Sequence, residues 1–168
     1  MSIKLKYYGQ NDGSTVPDVA LVGDPGTDQL TLTNAGYLGG RIVALKNSAT
    51  AGRGLVIVPC DASVAGEIPY GVLLNGPGEF AGAIGPSGSG KAPVVRALFQ
   101  GYVDSQAFVA NPTAPYTLGG YLYCGVGASA GLYTADKPVG ANAYTAPVAI
   151  CTQLPTGSTP QLGVASLI

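Results

Sequence analysis

Histidine and tryptophan are absent from this 168-residue chain, and charged residues are scarce. Without histidine, the sequence lacks the side chain that most often acts as a general base near neutral pH and most often binds metals. Charged residues make up 10% of the chain, against about 25% in typical globular proteins. With a net charge of −1, no basic surface is available to neutralise a phosphate backbone, so we expect no nucleic-acid partner.

Long apolar runs and paired cysteines are also missing. No run approaches the roughly 18 residues of a membrane span, and the first residues contain no signal-peptide core, so we expect no membrane partner. The three cysteines, Cys60, Cys124 and Cys151, are far apart and stand among apolar neighbours. Since no Cys-x-x-Cys pair exists, we expect three small buried side chains in strands and no metal.

Glycine and proline are plentiful, with 26 and 13 residues, while hydrophobic residues reach 46%. Both residue types break helices and punctuate strands, which favours a folded β protein with many turns. Apolar or alternating runs predict strands at 3–8, 30–33, 41–45, 55–58, 70–74, 94–103, 121–124, 132–134, 148–151 and 162–167. We predict an all-β fold: a small β-barrel or sandwich of short antiparallel strands, with an extended N-terminal arm and long Gly/Pro loops.

The first part of the chain differs from the rest. Apolar and polar side chains alternate over residues 3–8, which predicts a short amphipathic strand, and turn-forming residues then dominate. Such a segment has little core of its own. We therefore expect an extended arm over residues 1–33 and a β-barrel or sandwich domain over residues 34–168. A terminus without fixed contacts is the alternative.

Three landmarks within the domain recur later in the chain. The offsets are 80, 77 and 78 residues for Leu38-Gly39-Gly40 with Leu118-Gly119-Gly120, Gly54-Leu55 with Gly131-Leu132, and Pro69 with Pro147. The unit is a strand, a Gly-rich turn, a strand, a Pro-bearing loop and a third strand. Two copies would form the two halves of one barrel, so the spacing indicates a twofold internal repeat.

The stretch Gly85-Pro86-Ser87-Gly88-Ser89-Gly90-Lys91 matches the start of a P-loop, which wraps phosphates with backbone N–H groups. The next residue is Ala92, so the hydroxyl that would bind Mg²⁺ is missing. A P-loop must also open a helix, whereas the residues after Lys91 alternate as in a strand. We interpret the stretch as an exposed loop and expect no cofactor. Without a clustered carboxylate to activate Ser, Thr or Lys, we also expect no catalytic residue and no enzyme.

Charge almost disappears towards the end of the chain. After Asp104, the last 64 residues contain two charged side chains, Asp136 and Lys137. Interface centres are depleted in charge, so we expect neighbouring subunits to cover this part of the protein.

Hydrophobic and glycine motifs follow one another in a fixed order at residues 39–45, 54–56, 68–73, 94–103, 118–123 and 131–134. Over residues 38–168, this order resembles the capsid decoration, or cement, proteins of tailed bacteriophages. The resemblance implies a β domain on the outer surface of the virion capsid, made in the host cytoplasm. It also implies a homotrimer that bridges subunits of the major capsid protein and stabilises the shell.

An amphipathic edge strand in the arm can add to a neighbour's sheet, so we predict capsid or subunit contacts at Ile3, Leu5, Tyr7 and Tyr8. Strand pairing within the chain is the alternative for these residues.

For the protein as a whole, two other functions stay open. One is another structural subunit of the virion or an appendage, such as a head fibre base or a tail component. The other is a carbohydrate-binding β module.

Overall fold

Antiparallel strands make up the computed structural model, which describes residues 4–6, 18–21, 40–47, 55–73, 91–95 and 100–168. The strands are β1 Lys4–Lys6, β2 Asp18–Leu21, β3 Ile42–Asn47, β4 Leu55–Pro59, β5 Pro69–Leu73, β6 Lys91–Val95, β7 Gln100–Asp104, β8 Tyr121–Cys124, β9 Tyr133–Thr134, β10 Ala149–Gln153 and β11 Gln161–Ser166. Within these ranges, the one helical segment is a 3-10 turn at Gly127–Ser129. The all-β prediction is therefore confirmed.

The strands form two sheets with the same internal order. The five-stranded sheet runs β2-β6-β5-β3-β4, and the six-stranded sheet runs β1-β7-β11-β10-β8-β9. Strands β2, β3, β4, β5 and β6 of the five-stranded sheet take the same places as β7, β8, β9, β10 and β11 of the six-stranded sheet. The six-stranded sheet has one more strand, β1, which pairs with β7 at the edge. Each sheet is thus one five-strand unit, and we call the two units the first and second repeat.

Matching hydrogen bonds occur just before β3 and β8, the equivalent strands of the two repeats. Gly40 N–H donates to the Leu73 carbonyl (2.7 Å), and Gly119 N–H donates to the Cys151 carbonyl (2.8 Å). Both glycines have a positive φ, 87° for Gly40 and 75° for Gly119. Side chains are disfavoured in this left-handed region, which is why glycine precedes the strand in both repeats.

These two glycines provide a matched pair of substitutions. A Cβ atom at Gly40 would lie 3.0 Å from the Ala107 Cβ, whereas one at Gly119 would meet nothing within 4 Å. We expect Gly119→Ala to lose about 1–2 kcal/mol of unfolding free energy from backbone strain alone. Gly40→Ala should lose about 1–3 kcal/mol more through crowding. Urea denaturation of both variants measures the difference, and equal losses would contradict this packing.

A hydrophobic core is shared by the two repeats. It contains Ile42, Ala44 and Val72 from the first repeat and Val103, Leu122 and Val164 from the second. Backbone hydrogen bonds also join the two repeats. Ile42 N–H donates to the Gly131 carbonyl (2.8 Å), and Gly131 N–H donates to the Cys60 carbonyl (2.7 Å). The repeats therefore pack as two halves of one core.

The two sheets differ in how their faces are covered. In β3, Ile42, Val43 and Ala44 are buried consecutively, so both faces of this strand are covered. Burial alternates along β7, where Gly101 and Val103 are buried and their neighbours are half-buried. The six-stranded sheet thus turns one face to the core and the other face outwards.

Most of the strands predicted between residues 41 and 167 are confirmed, including the hairpin of β8 and β9. One prediction was wrong. The alternation over 94–103 predicted a single strand, but β6 ends at Val95 in the five-stranded sheet and β7 begins at Gln100 in the six-stranded sheet. The alternation extends across the end of β6 and into β7, so the pattern does not show that the chain passes from one sheet to the other between them. The strand predicted at 30–33 lies outside the described residues.

Candidate interaction surface

The outward face of the six-stranded sheet carries three tyrosines. Along each of its strands from β7 to β11, core residues alternate with residues on the opposite face. Val103, Leu122, Cys151 and Val164 belong to the core. Their neighbours on the opposite face include Gln100, Tyr102, Tyr121, Tyr123, Ile150 and Ala165, and we call this set the tyrosine face.

Strand register places four of these residues in one row. Gln100 lies opposite Ala165, Ala165 opposite Ile150, and Ile150 opposite Tyr121. Strands are about 4.8 Å apart, so this row spans roughly 14 Å. Tyr121 is 58% exposed at the end of the row. An uncharged strip thus crosses β7, β11, β10 and β8.

Charge is rare on the part of this face formed by β7, β11, β10 and β8, whereas β1 brings Lys4 opposite Tyr102 and Lys6 opposite Gln100 at the edge of the sheet. Of the described outward positions on β7, β8, β10 and β11, Asp104 is the one charged residue, and it lies at the end of β7. Its carboxylate accepts a hydrogen bond from Gln106 N–H (3.0 Å). Aromatic side chains without neighbouring charge are typical of the centre of a protein interface.

Asp136 is the one acidic residue after Asp104, and its carboxylate hydrogen-bonds to the backbone of the same chain. Asp136 accepts hydrogen bonds from the backbone N–H groups of Thr113 (2.9 Å) and Ala114 (2.6 Å). Tyr116 is held nearby, because its hydroxyl donates to the Val109 carbonyl at 2.7 Å. These bonds fix the long segment between β7 and β8 with few charged groups left for solvent.

Asp61 fastens a loop of the first repeat to a loop of the second. Its carboxylate accepts hydrogen bonds from Ser63 N–H (2.9 Å), Ser63 Oγ (2.7 Å) and Gly127 N–H (3.0 Å). Burial alone would raise the pKa of Asp61, but the hydrogen bonds outweigh it and the pKa is lowered. The ionised carboxylate therefore stabilises the contact between the repeats.

The lowered pKa of Asp61 gives a pH-dependent stability. Its contribution is present above the unfolded-state pKa of about 3.9 and is lost as the pH falls through the lower folded-state value. We expect Asp61→Asn to remove part of the stability lost between about pH 4 and pH 2. Ser63→Ala, which removes one donor to Asp61, should keep an intermediate slope. Urea unfolding across this pH range tests the order, and identical slopes in all three proteins would contradict it.

All three cysteines are free and buried, as predicted. Cys124 and Cys151 lie in strands, whereas the strand prediction was wrong for Cys60, which follows β4 directly. Two of them meet across the repeats: the Cys124 thiol donates to the Cys60 carbonyl at 3.0 Å. The neighbouring Cys124 side chain, followed by burial, raises the pKa of Cys60. Sequence reasoning missed this pair because the cysteines are separated by 64 residues, far from any Cys-x-x-Cys spacing.

Of the predicted contact residues, Leu5 lies in β1, opposite Gly101 of β7. Strand β1 thus pairs within its own chain, which was the alternative to pairing with a neighbour. Ile3, Tyr7 and Tyr8 lie outside the described residues.

Lys91, the last residue of the P-loop-like stretch, is the first residue of β6 and lies opposite Leu21 in an antiparallel pair. A P-loop would begin a helix at this point.

Within the described ranges, no helix has the length and apolar character needed to cross a membrane. The Cys, Asp and Glu side chains of the same ranges do not come together in a group of three that would hold a metal ion. No family model, curated protein or solved structure matches the chain. The function is therefore inferred from the tyrosine face and from the sequence motifs.

Proposed function

We propose that this protein is a structural component of a bacteriophage virion. It decorates the outer surface of the capsid and stabilises the shell by bridging subunits of the major capsid protein. It acts as a homotrimer, without enzymatic activity or a cofactor, after synthesis in the host cytoplasm. The motif order over residues 38–168, which resembles that of capsid decoration proteins, supports this assignment.

The tyrosine face is the observation that carries the proposal. A protein whose role is to bind a shell needs a stable face that loses water readily on contact. Tyrosine contributes a large contact area with little loss of side-chain freedom, and charged groups are costly to desolvate. On the tyrosine face, Tyr121 is exposed, and Tyr102, Tyr123 and Ile150 are half-buried. The row from Gln100 to Tyr121 is uncharged, and the lysines of β1 lie at the β7 edge of the sheet. These properties suit a permanent contact with a protein surface.

The first strand adds a second element to the proposal. In β1, Lys4–Lys6 forms only three residue pairs with β7, at the edge of the six-stranded sheet. The residues around it, Ile3, Tyr7 and Tyr8, remain our predicted contacts with the capsid. Deleting residues 2–9 is expected to weaken particle binding. Unchanged binding would remove the arm from the contact while leaving the tyrosine face in place.

Particle composition tests the proposal. Mass spectrometry of purified virions should detect the chain in stoichiometric amounts, and shells assembled without it should bind the added protein. A mass measurement in solution should give a trimer. Absence of the chain from the particle would contradict the proposed function.

A carbohydrate-binding module is the second candidate, and one observation favours it. Sugar-binding surfaces stack pyranose rings on exposed aromatic side chains, and Tyr121 and Tyr123 lie two residues apart on one sheet face. Titration with a panel of bacterial surface glycans separates the two functions. Binding of a glycan that Tyr121→Ala abolishes, together with no binding to shells, would establish this alternative instead.

A further inference from the structure

Cys60 and Cys124 lie side by side where the two repeats meet. The Cys124 Sγ atom donates to the Cys60 carbonyl at 3.0 Å, which places this thiol directly against Cys60. Cys124 ends β8, and Cys60 follows β4 directly. Ala62 N–H donates to the Gly125 carbonyl at 3.1 Å, so the two backbone segments run next to each other just beyond the cysteines. Both thiols are therefore held by paired backbone and not by free loops.

A small cavity lies beside Cys124. It has a volume of about 90 Å³, and it is lined by Cys124, by Val126 of the β8–β9 connection, and by Asp136 and Pro138, which follow β9. One water molecule requires roughly 10–15 Å³ on a comparable measure, so the cavity accepts a solute slightly larger than water. Val126 is 43% exposed at its rim, whereas Cys124 is fully buried. The Cys60 side chain does not line the cavity.

We propose that Cys60 and Cys124 form a disulfide that links the two repeats when the folded protein meets a hydroperoxide such as hydrogen peroxide. The Cys124 sulfur attacks the peroxide, the O–O bond breaks, and the displaced oxygen leaves as water, which gives a sulfenic acid at Cys124. The Cys60 sulfur then attacks the Cys124 sulfur, the S–O bond breaks, and a second water leaves with the Cys60 proton. Two thiols and one hydrogen peroxide thus become one disulfide and two waters.

The order of attack follows from the structure. Of the two cysteines, Cys124 lies beside the cavity and Cys60 does not, so we expect peroxide that enters here to react at Cys124. Cys60 has a raised pKa and stays protonated until the sulfenic acid forms beside it. The disulfide closes the chain between β4 and β8, and it replaces a hydrogen bond between the repeats by a covalent bond. This inference does not depend on the proposed function.

Intact-mass measurement of the full chain tests the proposal. The folded protein is treated with hydrogen peroxide, then unfolded in denaturant with N-ethylmaleimide to label the remaining thiols. We expect a loss of two hydrogens, one labelled cysteine instead of three, and a peptide pair that joins Cys60 to Cys124. An unchanged circular dichroism spectrum before unfolding shows that the reaction occurred in the native protein.

Three substitutions make the test specific. Cys151→Ala is the matched control, since Cys151 is equally buried and free, and this variant should form the same disulfide. Cys60→Ala should stop at a Cys124 sulfenic acid, which dimedone traps. Cys124→Ala should give neither product. Recovery of three labelled thiols in the oxidised wild-type protein, or a disulfide that includes Cys151, would overturn the proposal.

Discussion

The Leu122→Ala variant is expected to lose about 2–5 kcal/mol of unfolding free energy, because the substitution leaves a cavity in a core that both repeats share. Leu122 is 1% exposed and lies in the same cluster as Ile42 and Val164. Part of the loss is the missing apolar contact, and part is the void that neighbouring strands cannot fill. Thermal or urea unfolding measures the difference from the wild-type protein.

Leu118→Ala is the matched control for this substitution. It makes the same chemical change four residues earlier, at a side chain that is 66% exposed. Surface substitutions of this kind usually change stability by less than about 0.5 kcal/mol. A loss at Leu118 equal to that at Leu122 would contradict the assignment of the core. A single cooperative transition in Leu122→Ala is also expected, because one core joins the repeats.

Tyr121→Asp should weaken binding to the capsid shell on the order of 30-fold or more. Central interface tyrosines commonly contribute about 2 kcal/mol or more, and a buried carboxylate adds a desolvation penalty. Because Tyr121 is 58% exposed, the fold itself should remain intact. Co-sedimentation with shells that lack the protein measures the dissociation constant.

Val139→Asp serves as the control for the charge. Val139 is 88% exposed in the segment between β9 and β10, outside the strands that form the tyrosine face, so the same charge there should leave shell binding unchanged. Equal weakening by both substitutions would point to net charge and not to the tyrosine face. No weakening by either would remove Tyr121 from the contact.

Much of the fold follows from local sequence patterns. Short apolar or alternating runs identify β7, β8, β10 and β11, because a half-buried strand turns successive side chains to opposite faces and a covered strand is apolar throughout. Glycine landmarks such as Gly40 and Gly119 precede β3 and β8, where a positive φ disfavours other residues. These features are encoded within a few residues, so they can be recognised without a structure.

Features that depend on distant parts of the chain were not predictable in this way. Alternation over 94–103 gave no sign that the chain passes from one sheet to the other. The tyrosine face required the order β7-β11-β10-β8, which brings Gln100 into one row with Tyr121. In the same way, Cys60 meets Cys124 only because the repeats pack against each other. Local periodicity shows which side chains point inwards, but strand order decides which of them become neighbours.

Binding of the purified protein to empty shells tests the central claim most directly. The shells are assembled from the major capsid protein of the phage proposed to carry this chain, and binding is followed by co-sedimentation at increasing salt. We predict saturable binding that persists at high salt, since the row from Gln100 to Tyr121 is uncharged, and that Tyr121→Asp weakens. A protein that stays in the supernatant with intact shells at every salt concentration would contradict the assignment as a capsid decoration protein.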